Sequence, residues 1–187
     1  MAPNQPSWPR RWLMTDERVG DRLWMAIDRL PAAEGGIVFR HYSLDAADRF
    51  RLGLRVATAA RERQLSLAVA GSARLAEELG ADLLHNPDHE IELPISLAVH
   101  GEKEAASAVG RGAALAFIAP VYSTRSHPNA QSLGADQAAA LAQLAGCPAI
   151  ALGGMDEERF AALTNAFPDR FYGYAGIDCW LGDLIRT

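Results

Sequence analysis

Apolar positions along this chain alternate between two spacings. Short continuous apolar runs of strand length are followed by longer stretches in which apolar residues recur three and four apart. Trp12-Leu13-Met14-Thr15 reads as a first strand, and residues 21–30 follow as a helix with Leu23, Ala26, Ile27 and Leu30 on one face. Residues 36–40 form a second strand. Residues 44–63 form a long helix with Phe50, Leu54 and Ala57 turned inward. A third strand (65–70) meets Gly71-Ser72, a turn and helix cap, and the helix that follows stops at Gly80. Leu83-Leu84-His85 is a fourth strand and residues 95–99 a fifth. Pro87 and Pro94 lie between them, so no full helix fits there. Helix 102–111, strand 114–118, the Ala-rich helix 135–144, strand 149–152, helix 156–166, an eighth strand beginning at 171–173 and a closing helix at 180–185 complete the pattern.

Eight apolar runs with helices between most of them predict a parallel α/β fold, because parallel strands are buried on both faces. The fold class expected is a (β/α)8 TIM-type barrel, short for its class, with the fourth helix missing. An open doubly wound sheet is the alternative, but the sequence lacks the glycine fingerprint of dinucleotide-binding sheets. Residues 1–11, rich in Pro and Arg, read as a disordered lead-in, and residues 12–187 as a single barrel domain.

Composition narrows the partners. Of 187 residues, 49% are hydrophobic and 22% charged, the balance of a globular domain. A net charge of −5 gives no electrostatic reason to expect nucleic acid or an anionic membrane. The densest basic cluster, Arg49, Arg51, Arg55, Arg61 and Arg63, reads as one solvated helix face. No run has the length of a membrane span, and the N-terminus has no apolar signal core. Cys147 and Cys179 lack metal-type spacing and read as free thiols, so a cytoplasmic location is expected. A homodimer stays open.

The chemistry-bearing residues fall at predicted strand ends, where a barrel opens its site. They are Arg40, His41, His85, His100 and His127. Gly153-Gly154, between a strand and a helix capped by Asp156, suits an anion held on backbone N–H groups. The alternative is a tight turn that needs glycine for its dihedrals alone.

The order of short motifs resembles the thiamine phosphate synthase/TenI family over residues 12–180. Trp12-Leu13-Met14-Thr15-Asp16 is similar to its opening YLVTD strand, and Arg40 to the arginine of its Q-x-R-x-K strand. Gly80-Ala81-Asp82 with His85 is similar to GADGVH, and His100 to the end of GxSxH. Pro120-Val121-Tyr122-Ser123-Thr124 is similar to GPVFxT, and residues 148–155 to PVVAIGGI. The resemblance implies a barrel acting on a phosphorylated thiazole or pyrimidine heterocycle in thiamine metabolism, with Mg2+ as helper. It implies Arg40, His100 and His127 as catalytic residues, and Gly153, Gly154 and Gly176 as the phosphate cradle. Glu90 and Asp88 are the candidate metal ligands. Several family positions are altered here: Gly71 stands where a metal carboxylate is usual, Val38 and Tyr42 replace the Gln and Lys beside Arg40, and Pro120 replaces the TenI acid/base histidine. Asp178 stands near the phosphate-cupping serine, where it would repel a phosphate unless it turned away or paired with a base such as Arg40. A barrel that binds a phosphorylated ligand without turnover is therefore the second expectation.

Overall fold

In the computed structural model, residues 8–87, 89, 92–124 and 131–182 are described. Eight parallel strands close in chain order into a barrel. They are β1 (Arg11–Met14), β2 (Gly35–Phe39), β3 (Ser66–Ala70), β4 (Leu83–His85), β5 (Ile95–Val99), β6 (Leu115–Ile118), β7 (Ala149–Leu152) and β8 (Gly173–Gly176). Among the described residues six helices surround them: α1 (Arg22–Arg29), α2 (Ala46–Glu62), α3 (Ala73–Leu79), α4 (Glu102–Gly110), α5 (Gly134–Leu144) and α6 (Glu157–Ala166). No helix occurs between β4 and β5 among the described residues, as the two prolines require. The barrel is of the TIM type, with fewer helices than strands.

Because side chains alternate across a strand, the sheet sorts its residues into two cores. Outward residues such as Leu13, Ile37, Phe39, Leu67 and Val69 pack beneath the helices. Inward residues, among them Trp12, Met14, Val38, Leu83, Phe117 and Ile150, fill the barrel. Trp12 is the largest of these, fully buried, with its ring edge-on to Phe117 at 5.8 Å. Its Nε1 donates to the Pro9 carbonyl at 2.7 Å, so the indole's polar atom is satisfied. The facing strand has to be small: a Cβ on Gly36 would lie 2.4 Å from the Trp12 ring.

Caps follow the sequence signals. The side chains of Asp45, Ser72 and Asp156 accept backbone N–H groups at the starts of α2, α3 and α6, and Gly80 ends α3 in the left-handed region at φ 65. Both cysteines are free, and no helix among the described residues is long and apolar enough to cross a membrane.

Five expectations are corrected. First, residues 8–11 are not a disordered lead-in. Arg11 opens β1, the Trp8 carbonyl accepts the Tyr172 hydroxyl, and Arg10 Nε donates to the Tyr172 carbonyl at 2.7 Å; residues 1–7 lie outside the described residues. Second, the inward face of α2 is Gly53, Val56, Ala57 and Ala60, while Leu54 is exposed. The helix sits so close to α3 that a Cβ on Gly53 would meet Leu79 at 2.6 Å. Third, the basic cluster is not one solvated face. Arg51, Arg55 and Arg61 are exposed. Arg49 is half-buried, with Nη2 donating to the carbonyls of Arg40 (2.9 Å) and Ala70 (2.7 Å). Fourth, β8 runs two residues past the expected position. Its glycines leave no apolar run to read, and Gly173 must be small because a Cβ would strike the Arg10 carbonyl oxygen at 2.1 Å. Fifth, in place of a helix starting at Trp180, a 3-10 turn spans Asp178–Trp180; residues 183–187 lie outside the described residues.

The Trp12–Gly36 contact predicts that Gly36→Ala lowers stability by about 1–3 kcal/mol, the usual cost of overpacking. Urea unfolding measures it, and Trp12→Phe in the same chain should recover part of the loss. An unchanged midpoint in Gly36→Ala would contradict the packing described.

Candidate active site

The C-terminal ends of the strands surround a cavity of about 260 Å³. Strand alternation decides what reaches it. With Val38 inward and Phe39 outward, the next inward residue on that strand is Arg40, one past the end of β2. Arg40 lines the cavity together with His100, Gly153, Gly154, Gly176 and Asp178, against an apolar wall that includes Met14, Leu152, Met155 and Ile177. The fold thus brings together five of the predicted site residues: Arg40, His100, Gly153, Gly154 and Gly176. Asp88, Glu90 and His127 lie outside the described residues.

Arg40 is held from the end of β1. Its backbone N–H donates to Thr15 Oγ1 and its Nε to the Thr15 carbonyl, both at 2.9 Å. Asp16 Oδ2 is its carboxylate partner, at 3.5 Å from Nη2. Burial holds the guanidinium below its ordinary pKa, an effect that Asp16 opposes. Burial also works against the Asp16 carboxylate, but the Arg18 side chain and backbone N–H, with the charges of Arg18 and Arg40, outweigh it and keep Asp16 below the usual carboxylate range. Sequence reading missed Thr15 and Asp16 as site residues, although their place at the C-terminal end of the first strand was the available signal.

The two glycines between β7 and α6 have dihedrals that suit glycine, φ 98 at Gly153 and φ 62 at Gly154. They are also packed tightly. A Cβ on Gly153 would lie 2.8 Å from Pro120 Cα, and one on Gly154 would lie 2.7 Å from the Ser123 carbonyl oxygen. The turn and the loop after β6 therefore form one wall of the cavity. Arg159, on the first turn of α6, donates to the Gly154 carbonyl and stacks over Tyr122 at 5.6 Å. It is a second cation near this wall that the sequence reading did not single out.

The histidines separate by environment. His100 is exposed at the rim; Glu104 accepts its backbone N–H at 2.6 Å and stands 3.3 Å from its Nδ1. His85 and His41, also at strand ends, do not join it at the cavity. His85 points into the barrel, fully buried, with Nδ1 3.0 Å from Ser96 Oγ and its ring edge-on to Phe117. Burial, with the charges of Arg40 and His100, pushes its pKa down to about 3, so it is a neutral core residue. His41 is buried behind Thr15, stacked on Phe39 at 5.1 Å. Asp178 lines the cavity and is exposed, and the carboxylate paired with Arg40 is Asp16 instead.

The described residues contain no group of three or more His, Cys, Asp or Glu side chains placed to hold a metal ion. At Gly71, φ is 79, the Tyr42 ring is the neighbour, and the residue itself has no side chain to offer a carboxylate oxygen.

The family model described as thiamine monophosphate synthase matches residues 14–171. A protein of Aquifex aeolicus (strain VF5), provisionally named thiamine-phosphate synthase 2, is 22% identical over 185 residues, covering 92% of this chain and 98% of its own. Among solved structures, the thiamine phosphate pyrophosphorylase of Pyrococcus furiosus superposes with a TM-score of 0.77 at 20% identity, covering 94% of this chain and 88% of that one. The KGPDC structure from Streptococcus mutans gives 0.58 at 12% identity, with 90% and 88% covered. At these identities the structural matches speak for the fold alone.

The burial of His85 generates a pH prediction. Its folded pKa lies below the unfolded value of about 6.5, so the unfolded chain binds the extra proton. Its contribution is full above about pH 6.5 and is lost as pH falls toward 3. Between pH 7 and pH 5 the wild type should lose on the order of 1–2 kcal/mol more stability than His85→Gln. Urea unfolding at both pH values checks it; equal losses in the two proteins would refute the assignment.

Proposed function

The chain belongs to the thiamine monophosphate synthase family, and on that premise we propose that its barrel binds one phosphorylated thiazole or pyrimidine heterocycle in the rim cavity, with magnesium-dependent synthase turnover weak or absent. The observation that carries this reading is the convergence of Arg40, Gly153, Gly154 and Gly176 on one cavity with an apolar wall. A phosphate accepts a forked pair of hydrogen bonds from a guanidinium, and the N-terminal end of α6 adds a favourable partial charge. The ring lies against Met14, Leu152 and Ile177, which offer it surface without competing hydrogen bonds. His100, exposed on the same cavity and beside Glu104, is the candidate acid/base.

Magnesium would supply charge neutralisation to a diphosphate. Gly71 supplies no side-chain ligand to such an ion. The reading is of a cytoplasmic protein whose partner is a small phosphorylated molecule, with no role for nucleic acid or membrane. A barrel that binds the ligand without turnover is the second reading, favoured by Val38, Tyr42, Gly71 and Pro120 at positions where family enzymes carry polar or charged groups.

Two measurements test the proposal. An assay of the purified protein with pyrimidine diphosphate, thiazole phosphate and Mg2+ should give far less than about one turnover per second, because each missing charged contact removes roughly 10²–10³ in rate. Turnover near one per second would refute the loss of synthase chemistry. In calorimetry with thiazole phosphate, Arg40→Gln should weaken binding about tenfold or more. Asp178→Ser should change it only a few fold, since Asp178 is exposed and screened. Equal affinity in wild type and Arg40→Gln would sink the anion site.

A further inference from the structure

We propose that Thr15, braced by His41, is the positioning residue that presents the Arg40 guanidinium to the cavity. This rests on the reading above that Arg40 receives the ligand's anionic group. Among the described lining residues, Arg40 is the one arginine or lysine, so its placement governs how an anion is met there.

The geometry assigns both anchors of Arg40 to a single residue. Thr15 Oγ1 accepts the Arg40 backbone N–H at 2.9 Å, which sets where the side chain leaves the strand end. The Thr15 carbonyl accepts Nε–H at 2.9 Å. A guanidinium is planar, so fixing the Nε–H direction also fixes the plane in which the two terminal nitrogens lie. One of them faces Asp16, and the group as a whole lines the cavity. An arginine without these anchors would have to give up its rotamer freedom on meeting a ligand; here it is already ordered.

His41 explains why the Thr15 hydroxyl is oriented. Thr15 is fully buried, and its Oγ1 stands 3.0 Å from His41 Nδ1. Oγ1 accepts the Arg40 N–H with one lone pair and meets Nδ1 with its own proton or its second lone pair, according to the imidazole tautomer; in both cases the ring fixes the hydroxyl. The His41 ring is itself immobile: it is 5% exposed and stacked on Phe39 with planes 21° apart. Its backbone lies at φ 21, an uncommon value for a residue with a side chain. Four residues therefore share the work at the ends of β1 and β2: Phe39 seats His41, His41 orients Thr15, and Thr15 holds Arg40.

The test is an NMR titration with inorganic phosphate of the wild type, Thr15→Val, Thr15→Ser, Arg40→Gln and the double variant Thr15→Val/Arg40→Gln. Valine keeps the shape of threonine and removes the hydroxyl. The expectation is about tenfold weaker binding in Thr15→Val, affinity within twofold of wild type in Thr15→Ser, and no further loss on adding Thr15→Val to Arg40→Gln. Loss in Thr15→Val that persists in the Arg40→Gln background would overturn the proposal, since a merely structural role is blind to Arg40. Thr15→Val at wild-type affinity, with Arg40→Gln still impaired, would overturn it while leaving the anion site intact. Arg40→Gln at wild-type affinity would overturn both. If Thr15→Val does not fold, His41→Gly takes its place: glycine tolerates the backbone at φ 21 and has no side chain to reach the hydroxyl. It should weaken phosphate binding about threefold or more, and wild-type affinity there would count against the proposal.

Discussion

Everything in this molecule depends on filling the inside of a closed eight-stranded barrel. Parallel strands have no face to spare for water, and a closed barrel has no edge, so each inward position must be occupied at close-packed density. Trp12 does most of this at one level, and its size requires glycine or alanine around it: Gly36 opposite on β2 and Ala175 on β8. Once those contacts set the register, alternation dictates the rest. Two residues beyond each filled inward position the strand arrives at the rim, and that is how Val38 leads to Arg40.

The rim cavity has an uneven electrostatic design. On one side Arg40 is half-buried, paired with Asp16 and anchored to Thr15. On the other, the glycine turn before α6 is pressed against the loop after β6, with Arg159 closing over it. Between them the wall is apolar. A buried cation with a single carboxylate partner keeps donors directed at the cavity, and the low local polarity makes a contact to a phosphate count for more than it would in water. The same low polarity makes His85, directly under this region, a neutral structural group.

One corner of the rim is built around a cation. Gly71 and Tyr42 meet at the ends of β3 and β2, where Tyr42 shields Arg49 at 5.3 Å and Arg49 joins the two strand ends through the carbonyls of Arg40 and Ala70. At this corner a cation ties two strand-end carbonyls together. The corner supports the Arg40 backbone from beneath instead of contributing to the cavity.

The sequence by itself determined the class of fold, the order of its elements and the missing fourth helix, because strand and helix periods, prolines and caps are local signals carried by neighbouring residues. It also singled out Arg40, His100, Gly153, Gly154 and Gly176, which line one rim cavity, since strand ends and glycine turns are readable and the family motifs sit on them. Only the tertiary structure decided which histidines face the cavity. His85 and His100 look alike in sequence, at the ends of apolar runs, but one ends inside the barrel against Ser96 and Phe117 while the other clears the rim. Likewise the partner of Arg40 is Asp16, 24 positions earlier in the chain, and not Asp178, because pairing across β1 and β2 is set by strand register. Burial depth and cross-strand neighbours are properties of the closed barrel as a whole, and no window along the chain contains them.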